Sequence, residues 1–334
     1  MTPQLFPHID TSRNERSVLT IGNFDGVHRG HQYLLAEVVK TAQAQTLRSV
    51  ALTFAPLPLE VLRPDVSPPR LTTTADRIAL IRDLGIEDVV PITFGPDVAA
   101  LEARQFIEQV VAAFHPSELI VGADFAFGRG RSGNTDVLRQ LGDEFDYTLR
   151  VVDRIGDDAQ DFSSSRIRAS LNAGDVKVAV ELLGRPYLLR GIVVEGQRRG
   201  RELGFPTANL LLDGKMLVPE NGIYAALART HYDDRLVPSM IYVGTNPTFG
   251  EQARVVEVNL IDFHADLYGS ELAVLFVDRV RGDQRFDGVD QLIAQMYRDQ
   301  DDTISRLQTL PENWPGESTR RLLGIGKGAL TGDK

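Results

Sequence analysis

The sequence predicts two successive folds: a parallel α/β sheet up to about residue 155, and an antiparallel β structure with a closing helix from about residue 187. Three observations carry this. In the first half, β-rich runs alternate with helical patterns. In the second, short β-rich runs are separated by Gly, Pro, Asn and Asp, as in an antiparallel barrel or sandwich. An amphipathic stretch from Val289 to Leu307 then follows the last of these runs.

Taken in order, Val18 to Ile21 reads as a buried strand and His31 to Val39 has the apolar spacing of a helix. Ser49 to Phe54, Asp88 to Thr93, Glu118 to Ala123 and Tyr147 to Val152 supply the remaining strands of the parallel sheet. Ser163, Ser164 and Ser165 offer caps for a helix over Arg166 to Leu171; Val176 to Leu183 continues the helical region until Gly184-Arg185-Pro186 breaks it. The second texture comprises Leu188 to Val194, Ala208 to Leu212, Gly222 to Ala228, Pro238 to Val243, Val255 to Ile261 and Leu272 to Val277. Gly324 to Lys334 reads as a loose tail. The expected domains are therefore 1–182, a linker at 183–187, 188–310, and a tail at 311–334.

A chain of 334 residues has room for two domains of ordinary size, and 43% hydrophobic with 25% charged residues is a globular composition. No apolar run approaches the roughly 18 residues of a spanning helix, and no N-terminal signal pattern is present, so the expectation is a cytoplasmic protein without a membrane partner. The absence of cysteine excludes disulfides and thiolate chemistry, leaving any metal to oxygen or histidine ligands. A net charge of -10 and the lack of a basic surface interleaved with aromatics argue against nucleic acid as a partner; self-association stays open. Basic residues cluster only locally, at Arg129 and Arg131 and at Arg198, Arg199 and Arg201.

The densest chemical signal is Ile21-Gly22-Asn23-Phe24-Asp25-Gly26-Val27-His28-Arg29-Gly30-His31, which sets two of six histidines three residues apart where strand gives way to helix. A helix N-terminus offers outward N–H groups and a partial positive charge, so both imidazoles can serve one phosphate there, with Gly30 leaving room for close approach. The His-x-Gly-His pattern resembles the signature of the nucleotidyltransferase superfamily. After the strand ending near Val121, Asp124 can hydrogen-bond a ribose or base, and Phe125 or Phe127 can stack on a ring or simply belong to the core. Ser164 and Ser165, with Arg166 and Arg168, place hydroxyls, amides and guanidiniums together, which suits a polyphosphate.

In the second half, Thr207 and Asn209 are two apart and share one face of a strand. Their hydroxyl and amide oxygens can hold a magnesium ion that bridges nucleotide phosphates, although polar residues on a solvent face would look the same. Glu257 and Asn259 likewise share a face, and a carboxylate there can accept a hydroxyl proton during phosphoryl transfer.

Taken together, Ile21 to His31, Val121 to Gly128, Phe162 to Arg168, Leu203 to Asn209 with its Gly-Phe-Pro-Thr-Ala-Asn, and the Asn-Pro-Thr-Phe-Gly at 246–250 resemble the bacterial bifunctional riboflavin kinase/FAD synthetase family. The resemblance implies an α/β nucleotidyltransferase (Rossmann-like parallel sheet) domain that transfers AMP from ATP to FMN, giving FAD and pyrophosphate. It also implies a mainly antiparallel β-barrel kinase domain with a C-terminal helix that phosphorylates riboflavin with ATP and Mg2+. By the same resemblance His28, His31, Gly22, Phe24, Gly30 and Asp124 serve the adenylyl transfer. Ser164, Ser165 and Arg168 form its second phosphate element, Thr207 and Asn209 hold metal and nucleotide, and Glu257 is the base. Two departures touch the first half: Ala55 and Leu57 stand where acidic and polar residues are common, and Asp161 where an arginine is common. A carboxylate in place of a phosphate contact weakens polyphosphate binding unless another group compensates. The competing readings are thus a riboflavin kinase with a silent first domain and, less favoured, a non-catalytic flavin or nucleotide sensor.

Overall fold

A computed structural model describes residues 4–6, 15–157, 160–196, 200, 203–232, 234–245 and 254–326. The loop arginines Arg198, Arg199 and Arg201 and the 246–250 motif lie outside the described residues. The chain divides into two compact units at Ser163/Ser164.

The first unit is built on five parallel strands, β1 (Ser17–Ile21), β2 (Arg48–Ala55), β3 (Asp88–Thr93), β4 (Pro116–Gly122) and β5 (Thr148–Val152), in the order β3-β2-β1-β4-β5. All five residues of β1 are buried, because a central parallel strand is covered on both faces. Six helices connect and cover the strands: α1 (Arg29–Gln45), α2 (Pro58–Leu62), α3 (Thr74–Asp83), α4 (Pro96–Ala99), α5 (Ala103–Phe114) and α6 (Thr135–Phe145). In α5 the buried Phe106, Ile107, Val110, Ala113 and Phe114 recur at helical spacing and pack with Leu19, Val50 and Leu119 of the sheet. The strand order reverses direction at β1/β4, the position where open α/β sheets bind ligands at the strands' carboxyl ends.

The second unit opens with α7 (Ser164–Asn172) and α8 (Val176–Leu183). Their packing explains why the division falls before the expected linker at 183–187. Helix α8 lies against the barrel strands β6 (Tyr187–Val194) and β11 (Glu271–Arg281). The turn between the two helices is pinned by Arg279, whose guanidinium donates to Ala173 O (3.2 Å) and Asn221 O (2.6 Å), while Glu220 N donates to Leu171 O (2.9 Å). With β7 (Ala208–Leu212), β8 (Gly222–Arg229), β9 (Leu236–Thr245) and β10 (Arg254–Leu260), the strands close into a six-stranded antiparallel barrel in the order β10-β7-β6-β11-β8-β9. Barrel closure resolves the sequence-level choice between barrel and sandwich.

Helix α9 (Val289–Gln308) lies on β8, β9 and β11, tied there by Asp299, which is 1% exposed and accepts from Arg281 Nε (2.9 Å) and Nη2 (2.7 Å). Asp278 of β11 similarly receives Lys177 of α8 (2.9 Å) and Arg306 of α9, so one carboxylate fixes both helices to the barrel. The stretch expected as a tail from 311 is structured through Gly326. Helix α10 (Glu317–Leu323) sets Leu323 and Ile325 into a cluster with Leu227, Leu236, Ala273 and Leu275, and the buried Arg320 donates to Trp314 O (2.8 Å) and Gly326 O (3.2 Å). Apolar burial from residues too sparse to show periodicity outweighs the local polar composition here.

Candidate active sites

The first site lies where β1 meets α1. His28 is the N-cap of α1, with an extended backbone, and its Nδ1 accepts from His31 N (3.3 Å). A neutral ring that accepts at Nδ1 carries its proton on Nε2, so this cap leaves His28 a donor for an anion at the helix end. The two imidazoles stack, with ring centroids 3.6 Å apart and planes 20° apart, and Phe24 meets His31 edge-on at 5.3 Å. Histidines three apart thus share one face, as the spacing predicts. Phe24 (φ 50°), Gly26 (φ 84°) and Val27 (φ 39°) all adopt left-handed conformations in the turn that delivers them. For non-glycine residues this costs on the order of 1–3 kcal/mol each, so the surrounding structure must enforce it.

That enforcement comes from buried charge. The Asp25 carboxylate, 3% exposed, accepts from Leu71 N (3.0 Å), Thr72 N (3.2 Å) and Thr72 Oγ1 (3.2 Å), and the Thr72 hydroxyl accepts from Gly26 N (3.2 Å). Arg77 of α3, 1% exposed, donates to Asn23 O (3.1 Å) and Phe54 O (2.6 Å). Burial lowers its pKa, and Asp25 opposes the shift. Close approach is equally enforced: a Cβ at Gly22 would meet the Phe24 ring at 2.9 Å, and one at Gly30 would meet the His28 ring at 3.1 Å and Phe162 O at 3.3 Å.

Asp124 stands just past β4, next to β1 in the sheet, and pairs with Arg154 Nη2 (3.0 Å). The other terminal nitrogen of Arg154 lies 3.4 Å from Asp161. Arg154 follows β5, and Asp124 and then Asp161 raise its pKa further. Phe127 is a core residue (7% exposed), stacked on the partly buried Phe125 at 5.4 Å, which corrects its expected candidacy as a ligand-stacking ring. Ser164, Ser165 and Arg168 occupy the first turns of α7 in the second unit. Ala55 ends β2, and Leu57 caps α2 and is buried.

The second site lies on the barrel wall. Thr207 Oγ1 donates to Glu257 Oε2 (3.2 Å), and Asn209 of β7 is the register partner of Glu257 on β10. On its other side Glu257 pairs with Tyr242 of β9. Directly opposed residues project from the same face of a sheet, so Tyr242, Glu257 and Asn209 form one row. Their strand neighbours Ile241, Val243, Val256 and Val258 are buried inside, which puts the row on the outer face. Tyr242 packs with Phe205, Met240 and Met296, and burial, then Asp283 and Glu257, push its phenol up. A cavity of about 660 Å³ opens beside Thr207 and Ala208, walled by Leu260, Phe263, His264 and Tyr268. Asn259 is 6% exposed and donates to Pro206 O (2.8 Å), holding the segment that carries Thr207. The donors here are a hydroxyl, an amide and a carboxylate, a set that suits a hard cation shared with nucleotide phosphates. Among the described residues no cluster of three His, Asp or Glu is present to hold a metal alone.

Arg77, Arg154 and Tyr242 escaped the sequence reading. Arg77 and Arg154 sit in elements whose sequence carries no motif, and Tyr242 gains its place only from strand register.

Residues 10–166 match the family model described as FAD synthetase, and residues 183–307 the one described as riboflavin kinase. A bifunctional riboflavin kinase/FMN adenylyltransferase of Bacillus subtilis is 33% identical over 309 residues, spanning 91% of this chain and 96% of the relative. One of Escherichia coli is 34% identical over 294 residues, 88% of this chain and 93% of the relative. A crystal structure from Streptococcus pneumoniae, described as a macrolide-efflux protein, is also similar, with a TM-score of 0.81 and 32% identity over 91% of this chain and 98% of that one. Among the described residues no helix is long and apolar enough to cross a membrane.

Proposed function

We infer that this chain, which belongs to the bifunctional riboflavin kinase/FMN adenylyltransferase family, phosphorylates riboflavin in its barrel unit and adenylylates FMN in its parallel-sheet unit. The observation that carries this reading is the succession of two family matches, each enclosing a site whose side chains suit its half of the chemistry.

In the barrel, the primary hydroxyl of the riboflavin side chain attacks the γ-phosphorus of ATP, the bond from that phosphorus to the β-phosphate oxygen breaks, and ADP leaves. Glu257 takes the hydroxyl proton, and Thr207, bonded to Oε2, orients the carboxylate. Thr207 and Asn209 are the residues that would hold Mg2+ with the nucleotide. When bound, the ion neutralises charge on the phosphates.

In the first unit, a phosphate oxygen of FMN attacks the α-phosphorus of a second ATP, the α–β bond breaks and pyrophosphate leaves. No protein nucleophile is required. His28 and His31 stabilise the charge that develops on the α-phosphate, aided by the N-terminus of α1. Gly22, Phe24 and Gly30 shape the turn so that phosphate approaches the backbone closely. Asp124 contacts the nucleoside, and Ser164, Ser165 and Arg168 at the start of α7 are the proposed second phosphate element. Riboflavin, FMN and ATP are then the partners, and dependence on ATP fits a cytoplasmic location.

The test is a chromatographic time course with riboflavin, ATP and Mg2+ in one tube and FMN, ATP and Mg2+ in another, scoring FMN and FAD separately. FAD is expected in both tubes. FMN accumulating without FAD would reduce the chain to a kinase with a silent first unit.

A further inference from the structure

Two carboxylates stand on loops that adjoin the first site, one after β4 and one just before Phe162. Asp124 follows β4, adjacent to the strand that leads into the histidine turn. Asp161 is one residue before Phe162, whose carbonyl lies within 3.3 Å of where a Cβ on Gly30 would stand, at the first turn of α1. The two flanks are held by backbone bonds, Phe162 N donating to Ile155 O (3.0 Å) and Phe125 N to Gly122 O (3.1 Å). Salt screens charges only beyond about 8 Å, so carboxylates that a triphosphate approached within that range would oppose it unless compensated. One guanidinium meets both: Arg154 reaches Asp124 at 3.0 Å and Asp161 at 3.4 Å.

All three side chains are half exposed or more, so the bridge contributes little to the stability of the fold. Its arrangement needs another account. We propose that Arg154 is the charge-compensating residue of the adenylyltransferase site: from just past β5 it offsets one of the two negative charges of Asp124 and Asp161, so that ATP can be seated against His28 and His31. This rests on the reading of the first unit as an adenylyltransferase. Arg154 is a positioning residue. It acts on ATP through Asp124 and Asp161, and the kinase unit has no need of it.

The experiment compares Arg154→Ala, Arg154→Lys, Asp161→Asn and the Arg154→Ala/Asp161→Asn double variant in the full chain. It reads KM for ATP and kcat for FAD formation from FMN, with riboflavin phosphorylation in the same preparation as the control for folding. Arg154→Ala should raise KM for ATP in adenylylation about tenfold, the scale of one charge-assisted contact, with kcat changing less and kinase rates unaltered. Arg154→Lys should keep most of the function, and Asp161→Asn should restore most of what Arg154→Ala loses, because the second change removes the charge the arginine neutralised. Independent, additive effects in the double variant, or an Arg154→Ala enzyme with wild-type KM, would overturn the proposal. A wild-type chain that forms FMN but never FAD would sink the reading of the first unit and this inference with it.

Discussion

The two candidate sites, each proposed to hold ATP, have opposite constructions. In the first unit His28, His31 and the turn that carries them come from one short segment, and its unusual backbone is enforced from beneath by Asp25 and Arg77, both nearly inaccessible. In the barrel, Glu257 meets Thr207 across a sequence separation of 50 residues, and only the register of β7 against β10 brings them together. An anion cradle made of backbone amides and a helix end is a local object. A base placed beside metal and nucleotide donors is a tertiary one.

The contrast can be broken most directly by catalysis. Glu257→Gln should lower riboflavin phosphorylation by about 10²- to 10⁴-fold, the usual worth of a positioned base, while FAD formation from supplied FMN continues. His28→Ala should do the reverse, cutting adenylylation by about 10²- to 10³-fold and letting FMN accumulate. Either variant that depressed both activities alike, in protein that still unfolds cooperatively, would show that the sites are not separable.

A structural variant sharpens the same comparison. Asp25→Ala removes the acceptor for Leu71 N and Thr72 N and deprives buried Arg77 of its nearby countercharge. It should cost about 3–5 kcal/mol and appear in denaturant as an early transition of the first unit only. An unshifted midpoint would mean that the histidine turn holds its shape without buried support.

The smallest effect concerns alkaline pH in the second unit. Tyr224 donates to Glu220 O, and burial pushes its phenol up to about 12 from 10.0. The folded state therefore keeps a proton that the unfolded chain releases, so stability is complete below about pH 10 and declines up to about pH 12, by about 3 kcal/mol at most. Urea titrations across that range should show a flatter alkaline limb in Tyr224→Phe. An identical slope would assign the loss to other groups.

How much could be read beforehand follows from this difference. The β1–α1 turn was legible because strand, glycine and helix signals adjoin, and periodicity placed the parallel strands to within a residue or two. Tyr147, taken as the start of β5, instead turns into the core and donates to Leu138 O (2.7 Å). The expected boundary near 182 and the division into compact units at Ser163/Ser164 differ because helical periodicity in 164–183 does not say which unit the helices cover; contacts such as Arg279 with Ala173 decide that. Trp314, Arg320 and Leu323 looked like tail because long-range burial leaves no local pattern in so short a stretch. Arg154 was invisible for a related reason, since its meaning comes from Asp124 on the loop after β4 together with Asp161 farther along its own loop.

The ring of strands in the barrel also has a consequence for synthesis. β6, beginning at Tyr187, is paired along one side by β11, with Tyr187 opposite Phe276. The sheet of the first unit has all its strands once Val152 has emerged, and can fold while the ribosome is still working. β6 has to wait, one edge unsatisfied, for a partner translated roughly 90 residues later, and closing so long a loop is slow. During that interval the kinase half is the part of the nascent chain exposed to mispairing with its neighbours, which makes it the half whose yield should depend most on temperature and expression rate.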